Sequence, residues 1–114
     1  MRFAAGQDTG ARILEEAEAG VVIQCLAIDE VFANMSFDYV KLDIEGTECS
    51  ALGGMSNMIV NYRPRLAVSA YHKPEDWWSI PFKLHSLPPD ASIYLRQRCP
   101  NTFELVAYAI PQGR

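Results

Sequence analysis

Positive charge is gathered nowhere in this sequence of 114 residues: its ten Lys and Arg are scattered among fourteen Asp and Glu, for a net charge of −4. A nucleic-acid groove or an anionic membrane surface needs a basic cluster, so neither is an expected partner. Cysteine is sparse. Cys25, Cys49 and Cys99 are odd in number, widely spaced and free of any CxxC pair. That spacing indicates neither a metal site nor a disulfide framework, and it suits reduced thiols in a cytoplasmic protein. Long apolar runs are missing too. Nothing approaches the ~20 residues of a membrane helix. Residues 1–20 carry Asp8, Arg12, Glu15, Glu16 and Glu18 where a signal peptide would be apolar. There is no internal repeat, and no linker long enough to divide the chain.

What is present suits one soluble domain with one core. Hydrophobic residues make up 49% and charged residues 21%, both ordinary for globular proteins. Residues 1–20 are Gly- and Ala-rich and weakly patterned. They read as a weakly ordered segment with at most a helical turn near Arg12–Ala19, ahead of a single α/β domain over 21–114. The apolar, β-branched run Val21–Ile28 predicts a strand, with Asp29 placed to cap a short turn over Glu30–Asn34. Tyr39–Ile44 predicts the next strand and Gly46 its end. Thr47 is placed to cap a helix to about Tyr62, whose apolar face is Ala51, Leu52, Met55, Met58, Ile59 and Tyr62.

Arg65–Tyr71 is nearly all apolar, the pattern of a strand buried on both faces. Pro74 opens a second helix, with Trp77, Ile80, Leu84 and Leu87 on one face and Pro81 expected to kink or restart it. Trp77 is expected in the core, and packing is also the expectation for Trp78. Ser92–Gln97 and Phe103–Ile110 read as a hairpin turning at Cys99-Pro100-Asn101. The alternation predicts a parallel sheet with right-handed crossovers, into which the hairpin brings an antiparallel strand.

One segment carries a chemical signal. In Lys41-Leu42-Asp43-Ile44-Glu45-Gly46-Thr47-Glu48, strand alternation puts Val40, Leu42 and Ile44 on one face and Lys41, Asp43 and Glu45 on the other. Three charges on one flank of an inner strand are costly if buried unpaired. The structural explanation is a Lys41–Asp43 ion pair with Glu45 at a solvated strand end. The functional one is a carboxylate site at the carboxyl end of a central strand, where open α/β sheets bind ligands. Tyr71-His72-Lys73 ends the next strand on the same rim. Tyr94, Arg96 and Arg98 share a face of the hairpin. The plain readings are a capping surface histidine and an exposed ribbon face.

Three stretches together resemble the FkbM family of methyltransferases. They are Asp38 to Glu48 with Leu52 and Gly54 following; Arg63 to Asp76, ending in Tyr71-His72-Lys73-Pro74-Glu75-Asp76; and Tyr94-Leu95-Arg96 with Phe103 to Ala109. Leu26-Ala27-Ile28-Asp29 is similar to the step that precedes them in the family.

The resemblance implies part of a class I, Rossmann-like methyltransferase sheet, mostly parallel, with a C-terminal antiparallel hairpin strand and helices on its faces. It implies methyl transfer from S-adenosylmethionine to an oxygen, such as a sugar or natural-product hydroxyl. Asp43, Glu45 and His72 are then the candidate catalytic residues, Asp43 first as base. Tyr71, Lys73 and Arg96 are the candidate substrate-binding residues.

The family's cofactor half, a strand running into a glycine-rich turn, has no counterpart here. Gly6 and Gly10 lack an apolar strand before them, and Gly53-Gly54 falls inside a helix. The chain therefore reads as the C-terminal half of the fold, not expected to bind the cofactor alone. The competing reading is a non-catalytic interaction module; a small-ligand binder using the same rim is a third. A strand normally central would become an edge unless Val21–Ile28 covers it. Exposed edges pair with other chains, so a homo-oligomer, a two-fold dimer, is expected.

Overall fold

A computed structural model describes residues 2–5, 11–14, 21–87, 90–97, 100 and 104–113, with side chains described from residue 22. The chain starts with strands β1 (Arg2–Ala5) and β2 (Ala11–Leu14), followed by the two-residue β3 (Val21–Val22). These form a small antiparallel sheet in the order β2-β1-β3. Residues 11–14 are therefore strand, where the sequence suggested at most a helical turn; Glu15–Ala19 lie outside the described residues.

The strand expected over Val21–Ile28 ends at Val22 and pairs with β1. It does not cover the edge of the main sheet. Strand preference expresses fit to a half-buried pleated surface, and Val22, Ile23 and Leu26 have none, being 69%, 37% and 59% exposed.

Helix α1 (Ile28–Val31) takes in Asp29, which the sequence placed as its cap. Asp29 instead caps a distant helix. Strand β4 (Tyr39–Leu42) stops before Asp43, two residues short of expectation. The single helix expected over 47–62 is two, α2 (Glu48–Gly54) and α3 (Ser56–Tyr62), broken at Met55. Gly53 and Gly54 weaken the helix there by about 1 kcal/mol each relative to Ala. The free N-terminus of α3 is satisfied by Asp29, whose two carboxylate oxygens accept from Asn57 N–H at 2.9 Å and Met58 N–H at 3.0 Å. The αL residue Arg63 (φ 51°) and then Pro64 stop α3. Arg63 bonds Asp90 and the Gln112 carbonyl, tying that corner to the last strands.

Strand β5 (Arg65–Ser69), helix α4 (Asp76–Ser86) and strands β6 (Ala91–Gln97) and β7 (Leu105–Pro111) complete the chain. Helix α4 runs through Pro81 without restarting. Its buried line is Asp76, Ile80 and Leu84, spaced i, i+4, i+8. That register turns the tryptophans outward: Trp77 is 49% and Trp78 61% exposed, against the expectation that both pack. Pro88-Pro89, Arg98, Cys99 and Phe103 lie outside the described residues.

The main sheet has the order β4-β5-β7-β6. β4 and β5 are parallel, and β7 enters antiparallel between β5 and β6, as the hairpin reading required. One face bears Val40, Leu42, Leu66, Val68, Ala70, Ala107 and Ala109. These share a core with Leu52, Met55 and Ile59 of the first helices and Ile80 and Leu84 of α4. By register, the opposite face bears Tyr39 and Lys41, Ala67 and Ser69, Val106 and Tyr108, and Tyr94 and Arg96. No described helix is long and apolar enough to cross a membrane.

Candidate functional site

At the carboxyl end of β4 the chain leaves the sheet through Asp43 and Ile44 and turns at Glu45-Gly46. Both turn residues have positive φ, 58° and 102°. Gly46 suits that backbone; a Cβ there would meet only the Lys73 side chain, at an ordinary 3.8 Å. Glu45 bears the strain of a non-glycine αL residue, about 1 kcal/mol, at the edge of the site.

The turn is organised from within by Glu48, in the first turn of α2 and fully buried. Its Oε1 accepts from Ile44 N–H at 3.0 Å and its Oε2 from Gly46 N–H at 3.1 Å. Thr47, expected to cap α2 with its side chain, instead donates its hydroxyl back to the Ile44 carbonyl at 3.0 Å.

Beyond β5, Tyr71 and His72 reach this turn. His72 is 7% exposed and lies among three carboxylates. Nδ1 is 2.8 Å from Glu48 Oε1; Nε2 is 3.3 Å from Asp43 Oδ1 and 3.7 Å from Glu45 Oε1. Neither ring nitrogen is aligned for a regular hydrogen bond to these oxygens. At 2.8 Å, Glu48 Oε1 is nonetheless the nearest of these carboxylate oxygens to the ring. The Tyr71 hydroxyl donates to Asp43 Oδ1 at 3.2 Å, and its ring lies 4.2 Å from the imidazole, centroid to centroid. Burial, with the Asp43 charge beside it, pushes the Tyr71 phenol up to about 12, so it stays a donor at neutral pH.

The rim continues into α4. Asp76 is 2% exposed and accepts from Lys73 N–H at 3.3 Å. Burial raises its carboxyl above the usual range, against the pull of Lys73. Burial likewise raises the Cys49 thiol, helped by the Asp76 charge, which leaves it an unreactive neutral group.

Asp43 also opens onto a hollow of about 260 Å³ on the helix-free sheet face, lined by Tyr39, Lys41, Ser69, Tyr71, Glu104 and Tyr108 among others. A wider, shallower hollow beside it is lined by Tyr94, Arg96, Gln97, Tyr108 and Ile110. Tyr108 belongs to both.

The structure thus brings Asp43, Glu45, His72 and Tyr71 together, and it places Lys41 and Asp43 in one concavity. Among the described residues no ion pair joins Lys41 to Asp43; Asp43 turns to Tyr71 and His72. Lys73 lies over the Gly46 turn with its backbone tied to Asp76. Arg96 lines the neighbouring hollow, with other strands between it and the acidic cluster. Sequence reasoning passed over Glu48 as a site residue, and Asp76 with it. The available signal was a carboxylate two residues after a turn glycine, on a helix face that has to be buried.

A four-stranded sheet ordered β4-β5-β7-β6, with polar groups gathered where the parallel strands end, defines a Rossmann-like α/β protein with its candidate site on the carboxyl rim. The family model for the methyltransferase FkbM domain matches residues 3–103. The chain belongs to the FkbM methyltransferase family. It is similar to the crystal structure of methyltransferase FkbM from Methylobacillus flagellatus KT, with 35% identity over 73% of this chain and a TM-score of 0.66. The match spans 22% of that protein's length. No curated protein matches the chain.

Proposed function

We propose that this chain supplies the acceptor-side wall of an O-methyltransferase whose donor is S-adenosylmethionine. The single observation that carries the reading is the Asp43 carboxylate. It is hydrogen-bonded on the rim by Tyr71, lies 3.3 Å from His72 Nε2, is 45% exposed, and opens to a concavity that no described helix covers. In methyl transfer to oxygen, the acceptor hydroxyl has to be held in line and must lose its proton. Asp43 is the proposed acceptor of that proton. His72, beside the anchored Glu48, borders the same carboxylate at 3.3 Å.

Phenol hydroxyls, Lys41 and Arg96 alternate along the helix-free face. That mixture of ring faces, donors and cations suits a polyhydroxylated acceptor such as a sugar or a natural product. Tyr71, Lys73 and Arg96 are its proposed contacts, with Arg96 reaching a distal part of it.

The described residues do not fit the donor itself. Gly53 stands in open space within α2, and Gly54 lies against Ala27 at 3.3 Å. Gly46 serves a turn, with only Lys73 over it. None makes the strand-to-helix cradle such a cofactor needs. We therefore assign donor binding to residues outside this set and derive no step through it.

The open edge of β4 leads to the second part of the proposal, a cytoplasmic homo-oligomer formed across that edge. Sedimentation should give a dimer at tens of micromolar; a monomer there removes that part.

The acceptor role is tested by ¹⁵N shift mapping with a panel of sugars and hydroxylated small molecules. Shifts confined to Lys41, Ser69, Tyr71, His72, Lys73, Arg96 and the 43–46 turn are expected; shifts elsewhere, or none, overturn it. Calorimetry with S-adenosylmethionine should give weak or no binding. Micromolar affinity refutes the assignment of the donor to other residues.

A further inference from the structure

We infer that Asp43, Glu45 and His72 form a site for one divalent transition-metal cation of the Mn²⁺-to-Zn²⁺ series, with Glu48 orienting the imidazole from behind. Nε2 of His72, Asp43 Oδ1 and one Glu45 oxygen lie within 4.8 Å of one another. Nε2 is 3.3 Å from the first and 3.7 Å from the second. Donors about 2.1 Å from a shared cation stand roughly 3.0–3.4 Å apart at right-angled or tetrahedral positions. The two Nε2 distances are within a few tenths of an ångström of that spacing, and the two exposed carboxylates, which lie within 4.8 Å of each other, would close by up to about 1.5 Å to reach it.

The second, independent observation is the histidine itself. It is 7% exposed, and Nε2, turned toward both carboxylates, has no hydrogen-bond partner. A buried polar atom left in that state costs about 1–3 kcal/mol. On the other side of the ring Glu48, fully buried and held by two backbone N–H groups, stands 2.8 Å from Nδ1. Nε2 is left facing two carboxylate oxygens with no hydrogen bond to either, a position that a metal ion would fill. A carboxylate behind a histidine, with the distal nitrogen aimed at further donors, is the arrangement that orients metal-binding imidazoles.

The ligand set selects the ion. One imidazole nitrogen with two carboxylates is too nitrogen-rich for Ca²⁺ or Mg²⁺, and without thiolate it does not favour soft ions. Asp43 and Glu45 are 45% and 40% exposed, so the remaining coordination positions face solvent. That is the open geometry of a catalytic site rather than a closed structural one. Its catalytic consequence rests on the methyl-transfer reading: a cation there would hold the acceptor hydroxyl and favour its loss of a proton to the Asp43 oxygen left free of the metal. The binding itself rests on the geometry alone.

The test uses the whole chain, freed of metal with a chelator and dialysed. Mn²⁺ is titrated and followed by the electron paramagnetic resonance of the free ion; Zn²⁺ is titrated by calorimetry. One equivalent should bind with a Kd of about 100 µM or tighter. His72→Ala and Asp43→Asn should each weaken binding at least tenfold. Glu48→Gln, which leaves all three ligands in place, should weaken it by about 10–100-fold. Glu30→Gln, an exposed carboxylate on α1, should leave it unchanged.

Absence of saturation by either ion up to about 1 mM overturns the inference, as does unchanged affinity in His72→Ala. A ¹⁵N spectrum with both imidazole nitrogens protonated across the neutral range, and no metal binding, assigns that position to a proton and overturns it equally. Should Glu48→Gln fail to fold, His72→Ala and Asp43→Asn still decide. One-to-one metal binding without any response to hydroxylated acceptors keeps the metal site and removes the acceptor reading.

Discussion

Replacing Glu48 with alanine should destabilise the protein by about 3 kcal/mol, and the figure follows from what the carboxylate holds. Glu48 is fully buried, yet both its oxygens are in use: Ile44 N–H and Gly46 N–H donate to it, and His72 Nδ1 lies 2.8 Å away. Each donor stranded by truncation costs about 1–3 kcal/mol. Both belong to a half-exposed turn that water can partly reach, so the lower half of that range applies, giving about 2–4 kcal/mol for the pair. Loss of the imidazole contact adds to this. Relief from burying an ionised group subtracts a similar amount.

Glutamine keeps one acceptor and turns an NH₂ toward the other donor, so Glu48→Gln should lose about half as much. The assay is equilibrium urea unfolding followed by circular dichroism. With m near 2 kcal/mol/M for a chain of this size, the alanine midpoint should fall by about 1.5 M with m unchanged. A loss below about 1 kcal/mol in the alanine variant would mean that solvent satisfies the turn, and that Glu48 does not organise the site.

Asp29→Ala removes the acceptor for two N–H groups of α3 and should cost about 1–2 kcal/mol in the same unfolding assay; a neutral result removes its capping role. Asp76 has its carboxyl raised in the folded state by burial, so the stability it contributes is fully present below the unfolded value near 3.9 and is lost as pH rises through the folded one. Asp76→Asn should accordingly gain stability relative to the parent between pH 3 and pH 7; a difference independent of pH refutes the sign. The Tyr71 phenol is raised to about 12, so its contribution holds to about pH 10 and is lost from there upward. Absorbance at alkaline pH should contain one late-titrating tyrosine that disappears in Tyr71→Phe.

The parts of this fold that could be read from the residues are those in which a local pattern and the tertiary environment make the same demand. Leu66, Ala67, Val68 and Ala70 are apolar because β5 is buried along its length, and the segment reads as such. Lys41 and Asp43 break the apolar pattern of β4 because that flank faces a hollow, and the break pointed to the rim. The hairpin was legible from the Cys99-Pro100-Asn101 turn signal between two strand-like runs. Where reading failed, a distant group decided. The helix break at Met55 depends on Asp29, nearly thirty residues away, supplying a new N-terminus. The tryptophans turned outward because Asp76, held by Lys73 N–H, takes the buried position on α4. β1 and β2 pair with each other in a Gly- and Ala-rich segment where alternation is too weak to announce a strand. The role of Glu48 was invisible because a buried carboxylate and a solvated one look alike until their donors are placed.

The sheet separates both tryptophans from four of the five tyrosines, Tyr62 on α3 being the exception. Both tryptophans stand on α4, on the side where the helices lie. Tyr39, Tyr71, Tyr94 and Tyr108 line the hollows on the other side. Ligand-induced change in tyrosine emission therefore monitors occupancy of the hollowed face, with Tyr62 as a constant background, while tryptophan emission monitors the helical layer. A ligand entering the hollows should dim the first and leave the second alone, and unfolding should change both. One sample then distinguishes binding from loss of structure without any label.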